Sequence, residues 1–173
     1  MATVVTIAGT EITYEEFKIE NPLSPLGLAP TAQVTTTVRE TISQRDPVTI
    51  TIDGTVRFDG VVETPGAIRE NGSRKVECKH PQEDTFEESV TFEASANDSE
   101  SVLSDALAAS TNGAAADLSF VGASETLLSE YSVENRTVKR VFRDMMDRTG
   151  RVWWVDPADG TITVAPLGDR GTW

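Results

Sequence analysis

The chain has 173 residues, enough for one domain or two small ones, and carries 28 Asp and Glu against 15 Lys and Arg, a net charge of -13. A surface with that field repels nucleic acid and anionic membranes, and a single Cys excludes an intrachain disulfide. Apolar residues make up 38% against a usual ~45–50% that also counts glycine, so the chain can fold with little core to spare, and no stretch approaches the ~20 apolar residues of a membrane span.

The basic residues are 11 Arg and only 4 Lys. High acid content with scarce Lys resembles proteins of salt-loving organisms. At molar salt the Debye length falls to roughly 3 Å, and crowded carboxylates cease to repel strongly. The N-terminus, Met1-Ala2-Thr3-Val4-Val5, lacks the basic region and apolar core of a signal peptide. Assembly in a cytoplasm is therefore expected.

In chain order, Val4 to Ile7 is a β-branched run that ends in a turn at Ala8-Gly9-Thr10. Residues 11–20 predict a second strand, and Asn21 to Pro30, with three Pro and one Gly, a loop. Gln33 to Ile42 alternates Val34, Thr36 and Val38 against Thr35, Thr37 and Arg39, the period of a strand with one buried face. Pro47 to Gly60 contains Asp53-Gly54 between alternating runs, a hairpin signal. A three-residue loop Ile52-Asp53-Gly54 pairs Ile50 with Val56 and Val48 with Phe58 and keeps the apolar set on one face. A two-residue loop pairs Ile50 with Arg57, so the three-residue register is expected. Ser73 to Lys79 and Glu88 to Ala94 predict two more strands, joined by a polar loop over 80–87.

The pattern changes after Ala94. Asn97-Asp-Ser-Glu100 reads as a capping box, followed by a helix over 98–109 with Val102, Leu103, Ala106 and Leu107 inward. Leu118 to Val121 predicts a short strand. A second helix is expected over 136–149, started by Asn135 or Thr137 and ended by Gly150, with Val138, Val141, Phe142 and Met145 as its buried stripe. Val152 to Val155 and Thr161 to Val164 then predict a hairpin within 151–165. The expected fold class is α+β, mainly antiparallel β: a small tube-like barrel or sandwich over 1–95, then an α+β part over 96–173 with two short helices and the C-terminal hairpin.

Reactive chemistry is thin. Glu77, Cys78, His80, Glu83 and Asp84 are the one cluster of ligand-type residues, and one Cys and one His fall short of a zinc set. Acid pairs such as Glu15-Glu16 and Glu87-Glu88 arise readily among 28 acids. No nucleophile elbow or phosphate loop is present, so no catalytic residue, metal or cofactor is expected. Asn71, Asn97 and Asn135 open glycosylation sequons; two of these Asn residues also sit where helix caps are wanted, and capping explains them.

The second helix carries the sharper signal. Arg136, Lys139, Arg140 and Arg143 recur at i, i+3, i+4 and i+7, opposite the apolar stripe. Cations near a helix N-terminus oppose its dipole at roughly 0.3–1 kcal/mol each. An acidic partner surface, on a neighbouring subunit or on the β-half, offsets that cost; a solvated face is the alternative. Trp153 and Trp154 point to opposite faces of a strand, one toward the helix and one toward solvent or an interface. The candidate subunit interface is thus Arg136, Lys139, Arg140, Arg143, Trp153 and Trp154.

Three segments together resemble a known family. Val4 to Phe17 looks like the first barrel strands of baseplate hub or tail-associated proteins of tailed viruses. Val48 to Val62 is similar to that family's Asp-Gly hairpin, and Thr137 to Val164 resembles its helix, Gly, aromatic, Val-Asp, Gly, strand unit. The resemblance implies a structural virion protein rather than an enzyme, a ring at the distal end of the tail around the DNA channel. It implies a homo-oligomer, a trimer with a hexamer as the alternative, bound to tube, distal tail or fibre proteins, with no sequence-specific nucleic-acid binding. With the composition, it implies a virus of a halophilic archaeon. Hub proteins are commonly longer than this chain. The competing readings are another tail component (tube, terminator or distal tail protein), a carbohydrate-binding β-module, and, third, a hydrolase.

Overall fold

The computed structural model describes residues 2–21, 29–37 and 41–167. Strands and helices follow the order β1 (Thr3–Ile7), β2 (Thr10–Glu11), β3 (Tyr14–Glu20), β4 (Thr31–Thr36), β5 (Pro47–Ile52), β6 (Thr55–Thr64), β7 (Arg74–Lys79), α1 (Gln82–Glu87), β8 (Ser89–Glu93), α2 (Ser99–Ala109), β9 (Leu118–Phe120), β10 (Ser132–Thr137), α3 (Val138–Thr149), β11 (Arg151–Val155) and β12 (Ile162–Pro166). The fold is α+β and mainly antiparallel β. Among the described residues no helix is long and apolar enough to cross a membrane.

The chain forms two compact units. The first holds the strands up to Asn21, then Ala29–Pro81 and Asp156–Gly160; the second holds Gln82–Val155 and the segment from Thr161. The sequence reading draws its line at residue 95, but β8 pairs with β10 in the second unit.

The first unit is a seven-stranded antiparallel sheet of order β2-β1-β5-β6-β7-β4-β3. It curls: β2 and β3 are its opposite edges although only Ile12 and Thr13 separate them, and the Tyr14 hydroxyl on β3 donates to the Thr3 carbonyl on β1 (3.4 Å). One face closes over Val5, Ile7, Val34, Val48, Ile50, Phe58, Val62, Val76 and Cys78, all buried. Alternation along β4 (Ala32, Val34 and Thr36 inward) puts every second residue into this core. β4 begins two residues earlier than expected, and Val38 and Arg39 lie outside the described residues, as do positions 22–28 of the expected loop. Residues 11–20 form two strands, because β2 ends at Glu11 before Ile12 turns inward.

The hairpin register differs from the expected one. Ile52 pairs with Thr55 across a two-residue turn, and Ile50 faces Phe58, not Val56. Asp53 and Gly54 both have positive φ (49° and 79°), the requirement of a type I′ turn. A bulge between Ile50 and Thr51, opposite Arg57, restores the phase that a regular ladder would have lost. The extra residue lets Ile50 and Phe58 share the buried face.

The second unit contains β10-β8, the sheet β11-β12-β9 with β9 parallel to β12, and the three helices. Two expectations fail here. Residues 82–87 are a helix, not a polar loop, because Thr85 and Phe86 turn inward. Residues 132–137 are a strand, so Arg136 belongs to β10 and not to the second helix. The cap of α2 also shifts by one: Asp98, not Asn97, accepts from the Ser101 amide (2.9 Å), and the Glu100 amide donates to Ser124 Oγ. The C-terminal hairpin pairs Val155 with Ile162 and Trp153 with Val164.

Candidate subunit interface

The site is built on α3. Thr137 Oγ1 accepts from the Arg140 amide (3.3 Å), and Gly150 ends the helix with φ 68°. Val138, Val141, Phe142, Met145 and Met146 are buried. Phe142 meets Trp153 edge-on at 5.3 Å, and Phe86 lies 4.5 Å from the same indole. An aromatic core therefore fixes how α3 is rotated and which residues it turns outward.

Outward lie Lys139, Arg140, Arg143, Asp144 and Asp147, which with Arg136 and Thr137 line a groove of about 540 Å³. Lys139 is paired with Glu87 at 3.0 Å. Arg136, Arg140 and Arg143 are exposed and have no ion-pair partner among the described residues. Asp144 is engaged: its Oδ2 accepts from the Tyr131 hydroxyl (2.7 Å) and lies 3.3 Å from Arg148, whose guanidinium sits 5.2 Å over the Tyr131 ring. Burial, then the bond to Asp144, pushes the Tyr131 phenol well above its ordinary range.

The six sequence-derived positions thus separate. Lys139, Arg140 and Arg143 share the outer face of α3, and Arg136 reaches the same groove from β10. Trp153 is 2% exposed and belongs to the core, so no partner can touch it directly. Trp154, half-buried, is the tryptophan nearer solvent. Sequence reasoning missed Asp144 and Asp147 in this groove, although their spacing from Arg140 at i+4 and i+7 was available.

The residues considered for chemistry sit elsewhere. Burial pushes the Cys78 thiol up to about 12, and nearby Glu63 and Glu77 add to it, so no thiolate forms near neutrality. Burial also lowers the His80 imidazole, against the opposing fields of Asp59, Asp156 and Asp159. Among the described residues no group of three His, Cys, Asp or Glu is arranged to hold a metal.

Two anchors carried no local signal. The Glu88 carboxylate accepts the amides of Thr111 and Asn112 and the Ser110 hydroxyl. Arg151, 6% exposed, binds the Glu125 carboxylate (2.7 Å) and the carbonyls of Val121 and Ala123. Burial works to raise the Glu125 carboxyl, but hydrogen bonds from Arg151 and Ser99 outweigh it and the net shift is downward.

No protein-family model and no curated protein matches the sequence. Solved structures do. A tail protein from Neisseria meningitidis MC58 matches 94% of this chain with TM-score 0.72 and 19% identity, over 49% of its own length. The 43 kDa tail protein of prophage MuSo2 from Shewanella oneidensis matches 95% with TM-score 0.71 and 12% identity, over 55% of its length. The E. coli c3393 protein, described as a type VI secretion component similar to the T4 tail proteins gp27 and gp5, matches 87% with TM-score 0.55 and 7% identity, over 48% of its length. The chain spans about half the length of the structures it matches. Across nearly its whole length it has the fold found in these phage tail and secretion-system proteins.

Proposed function

We propose that this chain is a structural component of a virus tail, part of the ring at the distal end of the tail around the DNA channel, and not an enzyme. The fold shared with the Neisseria tail protein over 94% of the chain carries this reading. The likeness of the E. coli protein to the T4 tail proteins gp27 and gp5 supports a tail component, and the three sequence segments that resemble baseplate hub proteins favour the hub position. The net charge of -13 suits a wall past which DNA slides without sticking. It also suits a salt-loving host, since repulsion among the acids is weak at molar salt. In this reading the chain forms a homo-oligomer, a trimer or a hexamer, with tube, distal tail or fibre proteins as neighbours. Arg136, Lys139, Arg140, Arg143 and Trp154 supply a subunit contact.

The test is mass by light scattering with negative-stain imaging at molar salt, alone and with co-expressed neighbouring tail proteins. Closed rings of three or six copies are expected. A monomer under both conditions overturns the hub reading.

A further inference from the structure

The outer face of α3 and the outer face of the first unit's sheet carry opposite charges in the same order. On β7, Val76 and Cys78 enter the core, so Lys75 and Glu77 turn to the other face, about 6.7 Å apart. Glu63 joins them from β6, where a bulge between Val62 and Thr64 sets it one strand over, beside the rows of Cys78 and Glu77. Lys75, Glu77 and Glu63 line one groove of about 400 Å³. Along β7 the order is therefore one cation and then two acids. None of the three has an ion-pair partner among the described residues. Lys18 and Glu20, in the same groove, are paired with each other.

Like charges on neighbouring strands, as at Glu63 and Glu77, are destabilising. Cations three residues apart on a helix, as at Arg140 and Arg143, are destabilising too. Neither repulsion is relieved by an ion pair among the described residues, and Asp147 is also unpaired there. Along α3, Arg140, Arg143 and Asp147 stand about 4.5 and 6 Å apart. Laid on the sheet antiparallel to β7, such a helix sets Asp147 on Lys75, Arg143 on Glu77 and Arg140 on Glu63. The opposite direction sets Arg140 on Lys75 and Asp147 on Glu63, like against like.

We propose that α3 of one copy docks on the β6–β7 face of the next copy of this chain. This rests on the reading of α3 as a subunit contact and adds the surface it meets. The two faces differ, so the contact is heterologous. Every copy gives one face and receives the other, and repetition about a rotation axis closes a ring.

The experiment is sedimentation velocity on the full chain at about 0.15 M and at molar salt, where the Debye lengths are ~8 and ~3 Å. Arg143→Glu and Glu77→Arg are made singly and together; both sites are exposed, and circular dichroism checks that each variant folds. Each single variant is expected to self-associate about tenfold more weakly at the lower salt, because an attractive pair becomes a repulsive one in every contact. The double variant is expected to recover association, because the pair is again opposite in sign. If the double variant does not recover what either single variant loses, the pairing of these two faces is overturned while α3 remains a subunit contact. If neither single variant changes the mass, or if the unaltered chain is a monomer at both salts, no contact between copies uses these faces. Rings formed with co-expressed neighbouring tail proteins would then keep the tail reading without this contact.

Discussion

The two units reach stability by different means. The first closes a curved sheet over a mostly aliphatic core, with Phe58 among its members, that alternates along the strands. The second packs an aromatic trio, Phe86, Phe142 and Trp153, and ties its loops down with charged side chains such as Arg151 and Glu88. An aliphatic sheet core is distributed, so each residue contributes a share. The second unit has buried aliphatics as well, among them Val102, Leu103, Val141, Ile162 and Val164, and adds to them a few side chains whose partners lie far away in sequence. The difference teaches where to look for single points of damage in the second unit: at the long-range anchors set on top of its apolar core.

The largest effect is expected at the indole. Trp153→Ala removes the side chain on which both phenylalanines rest and costs about 3–5 kcal/mol. Hydrogen exchange checks where the damage goes. Amides of β10 and β11 are expected to lose protection while those of β5 and β6 keep theirs. Equal loss in both units would mean that they unfold as one block, and the contrast drawn above would fail.

Next comes Arg151→Met. The substitution keeps the stem but leaves two carbonyls and a carboxylate without their donor. Breaking a fully buried pair costs about 3–5 kcal/mol. The Glu125 side chain is 38% exposed, so solvent screening brings the expectation to about 2–3 kcal/mol. Denaturant melts of Arg151→Met and of Glu125→Gln sharpen this, with the arginine substitution the more damaging. Equal costs would mean that the carboxylate, not the two carbonyls, is the group that matters.

In the first unit the comparable test is steric. A Cβ at Gly60 would lie 2.6 Å from both the Lys79 carbonyl oxygen and the Phe58 ring. Gly60→Ala is therefore expected to cost about 1–3 kcal/mol by overpacking. Gly60→Ala combined with Phe58→Leu should cost less than the two single changes together, since the ring is one of the two obstacles. Strict additivity in a denaturant melt would place the clash on the backbone of β7 alone.

The same contrast explains what the sequence discloses. In the first unit the period-2 pattern and the Asp53-Gly54 pair identify strands and turn, because both act locally. The register escapes, because a bulge at Arg57 depends on packing Ile50 against Phe58 and not on anything local to the turn. In the second unit the apolar stripe of α3 and its Gly150 cap are legible. By contrast, α1 is six residues long and shows one large apolar side chain, Phe86, whose reason for turning inward is Trp153, 67 positions away. The cations of the candidate interface are legible as a helical repeat. That Arg136 sits on a strand instead follows from β8, which gives β10 its partner.

The smallest effect at neutral pH, and the most local, concerns Glu88. Its carboxylate accepts the Thr111 and Asn112 amides, the Ser110 hydroxyl and the Asn112 side-chain amide. Those bonds hold the charged form and pull the carboxyl from 4.5 down to about 2, with the Thr111 amide the leading cause. The folded value lies below the ordinary one, so the unfolded chain binds the proton first as pH falls. The stabilisation is fully present above about 4.5 and is lost as pH falls through about 2. The amide resonances of Thr111 and Asn112 should then titrate with a midpoint near the lower value and stay flat in Glu88→Gln. A midpoint near 4.5 would show that the loop does not hold the charge, leaving the second unit to rely on its aromatic trio and on Arg151.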